Sequence, residues 1–229
     1  MPSPEALRQQ LERLTADMIG LGLCNRQNFP SMRDLAEGCR EVGFTQDGGL
    51  SLALKNVPYA DIYTELDRRH SYNIRMLDGA LLQMMYRFRG NQLESHRLAF
   101  FPSPFLEEYQ NNPDIYQDDL IYAEVIEKNV VPFPVRFDYD AKPGVAVDVD
   151  HPVSHLTLGQ YQNCRIPVTA PITPFHFISF VLRNFYNTAY KEFCASLSVF
   201  PDVFDASISE NEKALIHIST PHSNTQAAQ

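Results

Sequence analysis

Between Leu81 and Phe101 the chain reads LLQMMYRFRGNQLESHRLAFF, and no other stretch constrains the fold as strongly. Leu82, Met84, Tyr86 and Phe88 alternate with Gln83, Met85 and Arg87, which is the period of a strand with one face on a core. Arg89-Gly90-Asn91 supplies a turn, HRLAFF returns, and Pro102 stops the returning strand. An isolated hairpin is marginal in water. The remaining sequence must therefore add strands beside this one and helices over its apolar face.

Helices are readable on both sides of it. Ser3-Pro4-Glu5 gives a capping serine, a proline at the first helical position and an acid at the positive end of the dipole. Leu7, Leu11, Leu14, Met18 and Leu21 follow at helical spacing. Ser31 with Asp34 resembles a short capping box, which predicts a second helix ending near Gly38. VGFTQDGGLSLAL reads as a hairpin turning at Asp47-Gly48-Gly49, and Tyr59 to Arg69 as a short helix. Ser103-Pro104 opens a helix over FLEEYQ that Asn111-Asn112-Pro113 ends. Cys164–Val168 reads as a short strand. Thr173-Pro174 caps a long amphipathic helix whose stripe is Ile178, Val181, Leu182, Phe185, Ala189, Phe193 and Leu197. ALIHIS reads as a last strand before a polar tail. The expected fold is α+β: a mainly antiparallel sheet covered by helices, the C-terminal one long. Residues 1–229 form a single domain, with 1–40 helical, 41–170 the sheet-rich core, 171–198 the covering helix and 220–229 the tail.

A chain of 229 residues can bury most of its unfolded surface without covalent staples. Its four cysteines are widely spaced and form no CxxC pair, as expected of reduced thiols. The start, MPSPEALRQQ, lacks the basic and apolar regions of a signal peptide. No apolar run approaches the roughly 18 to 20 residues that span a bilayer. A cytoplasmic protein without membrane contact is expected. The net charge of −9 is concentrated: residues 101–150 hold eleven of the 28 acids and three of the 19 Lys and Arg. This balance disfavours long-range attraction to nucleic acid. Neither a glycine-rich phosphate loop nor a GxSxG elbow occurs.

The acidic excess leads to VPFPVRFDYDAKPGVAVDVDHPVSH, residues 131–155. It reads as a hairpin turning at Lys142-Pro143-Gly144. Val135, Phe137 and Tyr139 would face a core, opposite Arg136, Asp138 and Asp140. With Val145, Val147 and Val149 alternating in the return strand, Asp148 and Asp150 would join Asp138 and Asp140 on one ribbon face. Like charges there repel, so solvent, Arg136 or a divalent cation must offset them. Asp138 and Asp140 could hold a cation such as Mg, a hard ion that takes oxygen ligands, or simply form a solvated acidic face. His151 and His155 could act as general acid or base, with Arg165 nearby to clamp a phosphate; otherwise Ser154 and His155 satisfy backbone groups in a bend at Pro152. Arg68, Arg69, Arg75, Arg87, Arg89, His96 and Arg97 form a basic cluster. Of these, Arg87, Arg89 and Arg97 are candidate phosphate ligands, or partners for the acids of 107–150. The Asp78-Gly79 turn reads as structural.

LDGALLQMMYRF, HRLAFFPSP, PVRFDYD, HPVSHLTLG with NCRIP, and TPFHFISFVLRNFY together resemble a bacterial family of uncharacterised proteins, a domain of unknown function. The resemblance covers about residues 70–190 and implies no activity and no functional residues. What it implies is a soluble bacterial protein with a co-encoded protein partner, in a multi-protein system of the kind used in antiviral defence. Two functions follow as expectations. One is a non-enzymatic or accessory interaction subunit. The other is a metal-dependent, nuclease-like phosphodiesterase using the Asp/His cluster, with nucleic acid as substrate.

Overall fold

The computed structural model describes residues 1–45, 57–105, 132–161 and 163–223. The hairpin at the centre forms as its alternation dictates. β5 (Leu81–Arg89) and β6 (Gln92–Phe101) pair antiparallel, with Leu82 opposite Phe100, Met84 opposite Leu98 and Tyr86 opposite His96. Around it the described residues build a nine-stranded sheet in which every ladder is antiparallel. On one side of β5 lie β4 (Ile74–Met76), edged by β1 (Cys24–Gln27), and β3 (Cys39–Gly43), edged by β2 (Ser31–Asp34). On the other side of the hairpin, β6 is followed by β7 (Val135–Asp140), β8 (Ser154–Leu158) and β9 (Ile166–Pro167).

The two faces of this sheet differ. Helix α1 (Pro4–Gly20) begins as its sequence predicts, with the Ala6 amide donating to the Ser3 hydroxyl at 3.2 Å. It buries Leu7, Leu11, Leu14 and Met18 completely. α3 (Pro174–Phe185) adds Phe177, Ile178, Val181 and Leu182, and both stripes close over Leu82, Met84, Leu98, Phe100, Val135 and Phe137. On the opposite face, α2 (Tyr59–Arg68) packs Ile62, Tyr63 and Leu66 on Leu81, Ala99 and Phe101. Beyond α2's reach that face turns polar, and the candidate site lies there. The fold is therefore α+β. Among the described residues no helix is long and apolar enough to cross a membrane, and all four cysteines are unpaired.

Four expectations need correcting. Ser31–Asp34 is a strand, not a helix start: it pairs with β3 along its whole length, Ser31 opposite Gly43 and Asp34 opposite Arg40. Only a single 3-10 turn, Ala36–Gly38, follows it. The long C-terminal helix is not continuous. It breaks at Tyr186 (φ −138°, ψ 53°), which sends its ring into the core and donates its hydroxyl to the buried Asp78 carboxylate at 2.7 Å. A shorter α4 (Asn187–Phe193) and a 3-10 turn follow. ALIHIS does not form a strand. A four-residue α5 (Glu210–Lys213) precedes it, and Ile218 makes one parallel bridge to Val168. Finally, β7 does not pair with Val145–Asp150 but with β8, because Leu156 offers that ladder a residue for the core. Residues 141–153 make an excursion between the two strands, and the Asp140 amide rejoins the Val153 carbonyl at 2.9 Å. The predicted turn at Asp47-Gly48-Gly49, most of FLEEYQ and the acidic stretch before Val131 lie outside the described residues.

Candidate functional site

The site is built on three neighbouring strands. β7 turns Val135 and Phe137 into the main core, so Arg136, Asp138 and Asp140 occupy the opposite face. Register then sets their neighbours: Arg97 on β6 and His155 on β8 lie directly across from Asp138. Arg97 Nε donates to one Asp138 oxygen at 3.2 Å and Arg136 Nε to the other at 3.1 Å. The Asp138 and Arg136 side chains are only 16% and 9% exposed, so these ions are largely removed from water. Burial pushes the Asp138 carboxyl up, but Arg136 and then Arg97 outweigh it and hold the group below its ordinary value.

His155 is buried, and its Nδ1 lies 2.9 Å from the Pro152 carbonyl. A carbonyl only accepts, so Nδ1 carries the proton and the neutral ring presents Nε2 as a lone pair. Burial lowers the His155 pKa; the Pro152 carbonyl and Asp138 pull the other way, while the charges of His151 and Arg165 add to the lowering. His151 stacks edge-on at 5.2 Å between ring centroids. Arg165 Nη1 donates to the Asn163 side chain at 3.3 Å. The structure thus gathers Asp138, His155, Arg97 and Arg136, with His151 and Arg165 beside them.

The expected four-aspartate ribbon does not form, because Val145–Asp150 is not the partner of β7. Asp140 shares the face of Asp138, opposite Ser95, and accepts from the Lys142 amide at 3.0 Å. Asp148 turns away to accept from Ser209 Oγ and Asn211 Nδ2, each at 2.5 Å. Asp150 is exposed. Among the described residues no group of three or more His, Cys, Asp and Glu is arranged to hold a metal ion.

The basic cluster resolves into ion pairs. Arg87 meets Glu41 at 3.4 Å, and Arg89 meets Glu94 at 2.9 Å and Glu37 at 3.6 Å. Arg68 and Arg69 share Glu65, and Arg75 faces Asp67 at 3.3 Å. Apart from Asp138, these acids come from residues 37–94 and not from 107–150. His96 belongs to the other face. It is buried between the rings of Tyr86 and Tyr139, and its Nε2 accepts from the Ile172 amide at 3.1 Å. Sequence reasoning missed Arg33 and Glu41, whose side chains pair across β2 and β3 and extend the polar tract to Arg87. No clean alternation marks Cys39–Gly43, where Arg40 and Glu41 are adjacent, and reading the preceding segment as helix hid the pairing. Asp78 keeps the structural role expected of it, accepting from Tyr186 and from the Ala80 amide.

No curated protein and no solved structure matches the chain. A family model does match, over residues 23–220, a span that takes in every strand of the sheet and every residue of the Asp138 cluster. The chain belongs to the family described as Uncharacterized conserved protein (DUF2290).

Proposed function

We propose that the protein is a non-enzymatic interaction subunit of a bacterial multi-protein system, antiviral defence being the setting that fits such a module. One observation carries the reading. The carboxylate at the centre of the candidate site is already neutralised by two guanidiniums, Arg97 and Arg136, one of them almost fully buried. A buried ion pair of this kind holds strands in register, and a cation taking Asp138 as a ligand would have to sit against two guanidinium charges. The test is co-expression of the chain with the product of each adjacent gene, followed by light scattering on the purified sample. The expected result is a complex of fixed stoichiometry with one neighbour. A chain that elutes alone in every combination overturns the reading.

A second reading has support from His155. Its Nε2 lone pair and its place across from Asp138 suit a general base. In a phosphodiesterase, Asp138 and Asp140 would hold a divalent cation such as Mg, His151 and His155 would exchange protons, and Arg97 and Arg165 would clamp the phosphate, with Arg87 and Arg89 along the nucleic acid. Calorimetric titration of Mg into the wild type and into Asp138→Asn discriminates the two. Heat from the wild type alone favours this enzyme; no heat from either removes it.

A further inference from the structure

Val145, Val147 and Val149 alternate with Ala146, Asp148 and Asp150, the pattern of a half-buried strand, yet the fold leaves the segment outside the sheet. Its one ladder contact is a bridge from Val147 to His151. Val147 is 54% exposed and Val149 38%. Among the described residues the amides of Ala146 and Asp148 donate to no backbone carbonyl. Val149 sits at φ 70°, a left-handed conformation that β-branched residues rarely adopt. Asp148 pins the segment there through Ser209 and Asn211. Just beyond α5 in sequence stand Leu215 and Ile216, 46% and 92% exposed, and Asp150 and Glu210 are also exposed. A strand-forming sequence with bare valines and unused amides is a local preference that the global fold does not satisfy.

We propose that Val145–Asp150 is a docking strand for a protein partner that offers an extended segment alternating aliphatic residues with lysine or arginine. The inference deepens the interaction reading and rests on it. Strand addition takes affinity from main-chain pairing and specificity from alternate side chains. Valine faces aliphatic neighbours, and Asp148 and Asp150 face cations, since opposite charges across a ladder are favourable. The exposed acids Asp148, Asp150 and Glu210 favour a basic segment at this loop. On docking, Val149 moves to the extended region and Asp148 leaves Ser209 and Asn211.

The test uses two short fluorescent peptides of one composition, the first alternating valine and lysine, the second with the same residues in two blocks. Anisotropy titrations are run at physiological ionic strength against the full chain. The alternating peptide should bind at least about tenfold more tightly than the block peptide. Val147→Lys with Val149→Lys, or Asp150→Lys alone, should weaken it by a similar factor. Asn211→Ala, which removes one of the two donors to Asp148, should strengthen it. These positions are at the surface, and unchanged thermal unfolding verifies that the variants fold. Equal affinity for the two peptides reduces the effect to charge attraction and overturns the docking strand, as does a loop variant that binds like the wild type. Self-association through the loop, seen by sedimentation, overturns it in favour of a second copy as occupant. A complex with a neighbouring gene product that survives the loop variants overturns the docking strand alone, whereas failure to form any complex overturns the interaction reading itself.

Discussion

Acid should weaken this protein through His96 before it weakens it through any carboxylate. The imidazole is buried on the helix side of the sheet, 4% exposed, between the rings of Tyr86 and Tyr139 at 5.7 and 5.8 Å. Its Nε2 accepts from the Ile172 amide, so Nδ1 carries the single proton of the neutral ring, and that buried nitrogen has no hydrogen-bond partner. A second proton would have to sit on Nε2, facing a donor. Burial accordingly lowers the pKa from 6.5 to about 4, against the weaker pull of Asp138. The unfolded chain binds a proton near pH 6.5 and the native one near 4, so stability falls as pH drops through that window and levels off below it. At pH 4.5 the difference is about 2.5 kcal/mol relative to neutral pH. Denaturant unfolding at steps from pH 7 to 4.5, for the wild type and His96→Gln, isolates this contribution, because every other titrating group is common to both. The glutamine carbonyl can still accept from Ile172, while the side chain does not titrate. The wild type should lose about 2.5 kcal/mol more than the variant over this range. Parallel curves would show that His96 is not held neutral by its site, and the reasoning would be refuted.

Three further outcomes follow from the packing. Asp138→Ala strands Arg136 without a counter-charge and should cost about 3 kcal/mol or more in urea unfolding, whereas Arg97→Ala, at a side chain 37% exposed, should cost about 1 kcal/mol or less. The Asp138 contribution should be complete above its ordinary carboxylate value of 3.8 and disappear as pH falls through the lower native one. Gly43→Ala places a Cβ 2.9 Å from the Met84 carbonyl, so β3 must shift against β5, and a loss of about 1–3 kcal/mol in the denaturation midpoint is expected. Tyr186→Phe removes the donor to buried Asp78 and should lower stability by about 1–3 kcal/mol in thermal or denaturant unfolding.

What could be read from the sequence was local. The central hairpin was legible because Leu82, Met84, Tyr86 and Phe88 alternate with Gln83, Met85 and Arg87 ahead of a glycine turn. α1 was legible because its cap, its proline and its stripe agree. The two faces of β7 followed from period two alone. Long-range choices were hidden. Val145–Asp150 alternates at least as regularly as Ser154–Leu158, and only the core beneath β8 decides between them. Tyr186 falls inside the helix read from the sequence, and nothing nearby announces that its hydroxyl reaches an aspartate 108 positions earlier. Ser31 and Asp34 satisfy a capping pattern, but backbone pairing with β3 outweighs a cap worth about 1 kcal/mol. The site shows the same division. Asp138 lies on the face that strand alternation gave it and Arg97 on the returning strand, while His155, read as part of a bend at Pro152, meets Asp138 on β8, and Asp148 and Asp150 depended on a wrong strand partner.

The polar face has a structural logic of its own. A buried Arg–Asp–Arg cluster contributes little net stability, since desolvation offsets its Coulombic gain. Its effect is on register. If β7 slipped by one residue against β6, Phe137 would leave the core of α1 and α3, and Asp138 would enter it without Arg97. The cost of an unpaired buried carboxylate then falls on the wrong alignment and not on the right one. Glu41 does the same between Arg33 on β2 and Arg87 on β5. These ion pairs select one alignment across β2, β3, β5, β6 and β7, at the half of the face that α2 does not reach. That half of the face therefore has a structural reason for its charges, while the exposed loop between β7 and β8 lies outside the sheet. Val147 and Val149 stay exposed there, the Ala146 and Asp148 amides donate to no backbone carbonyl among the described residues, and Asp150 is exposed, so this loop is the surface that the proposed docking would use.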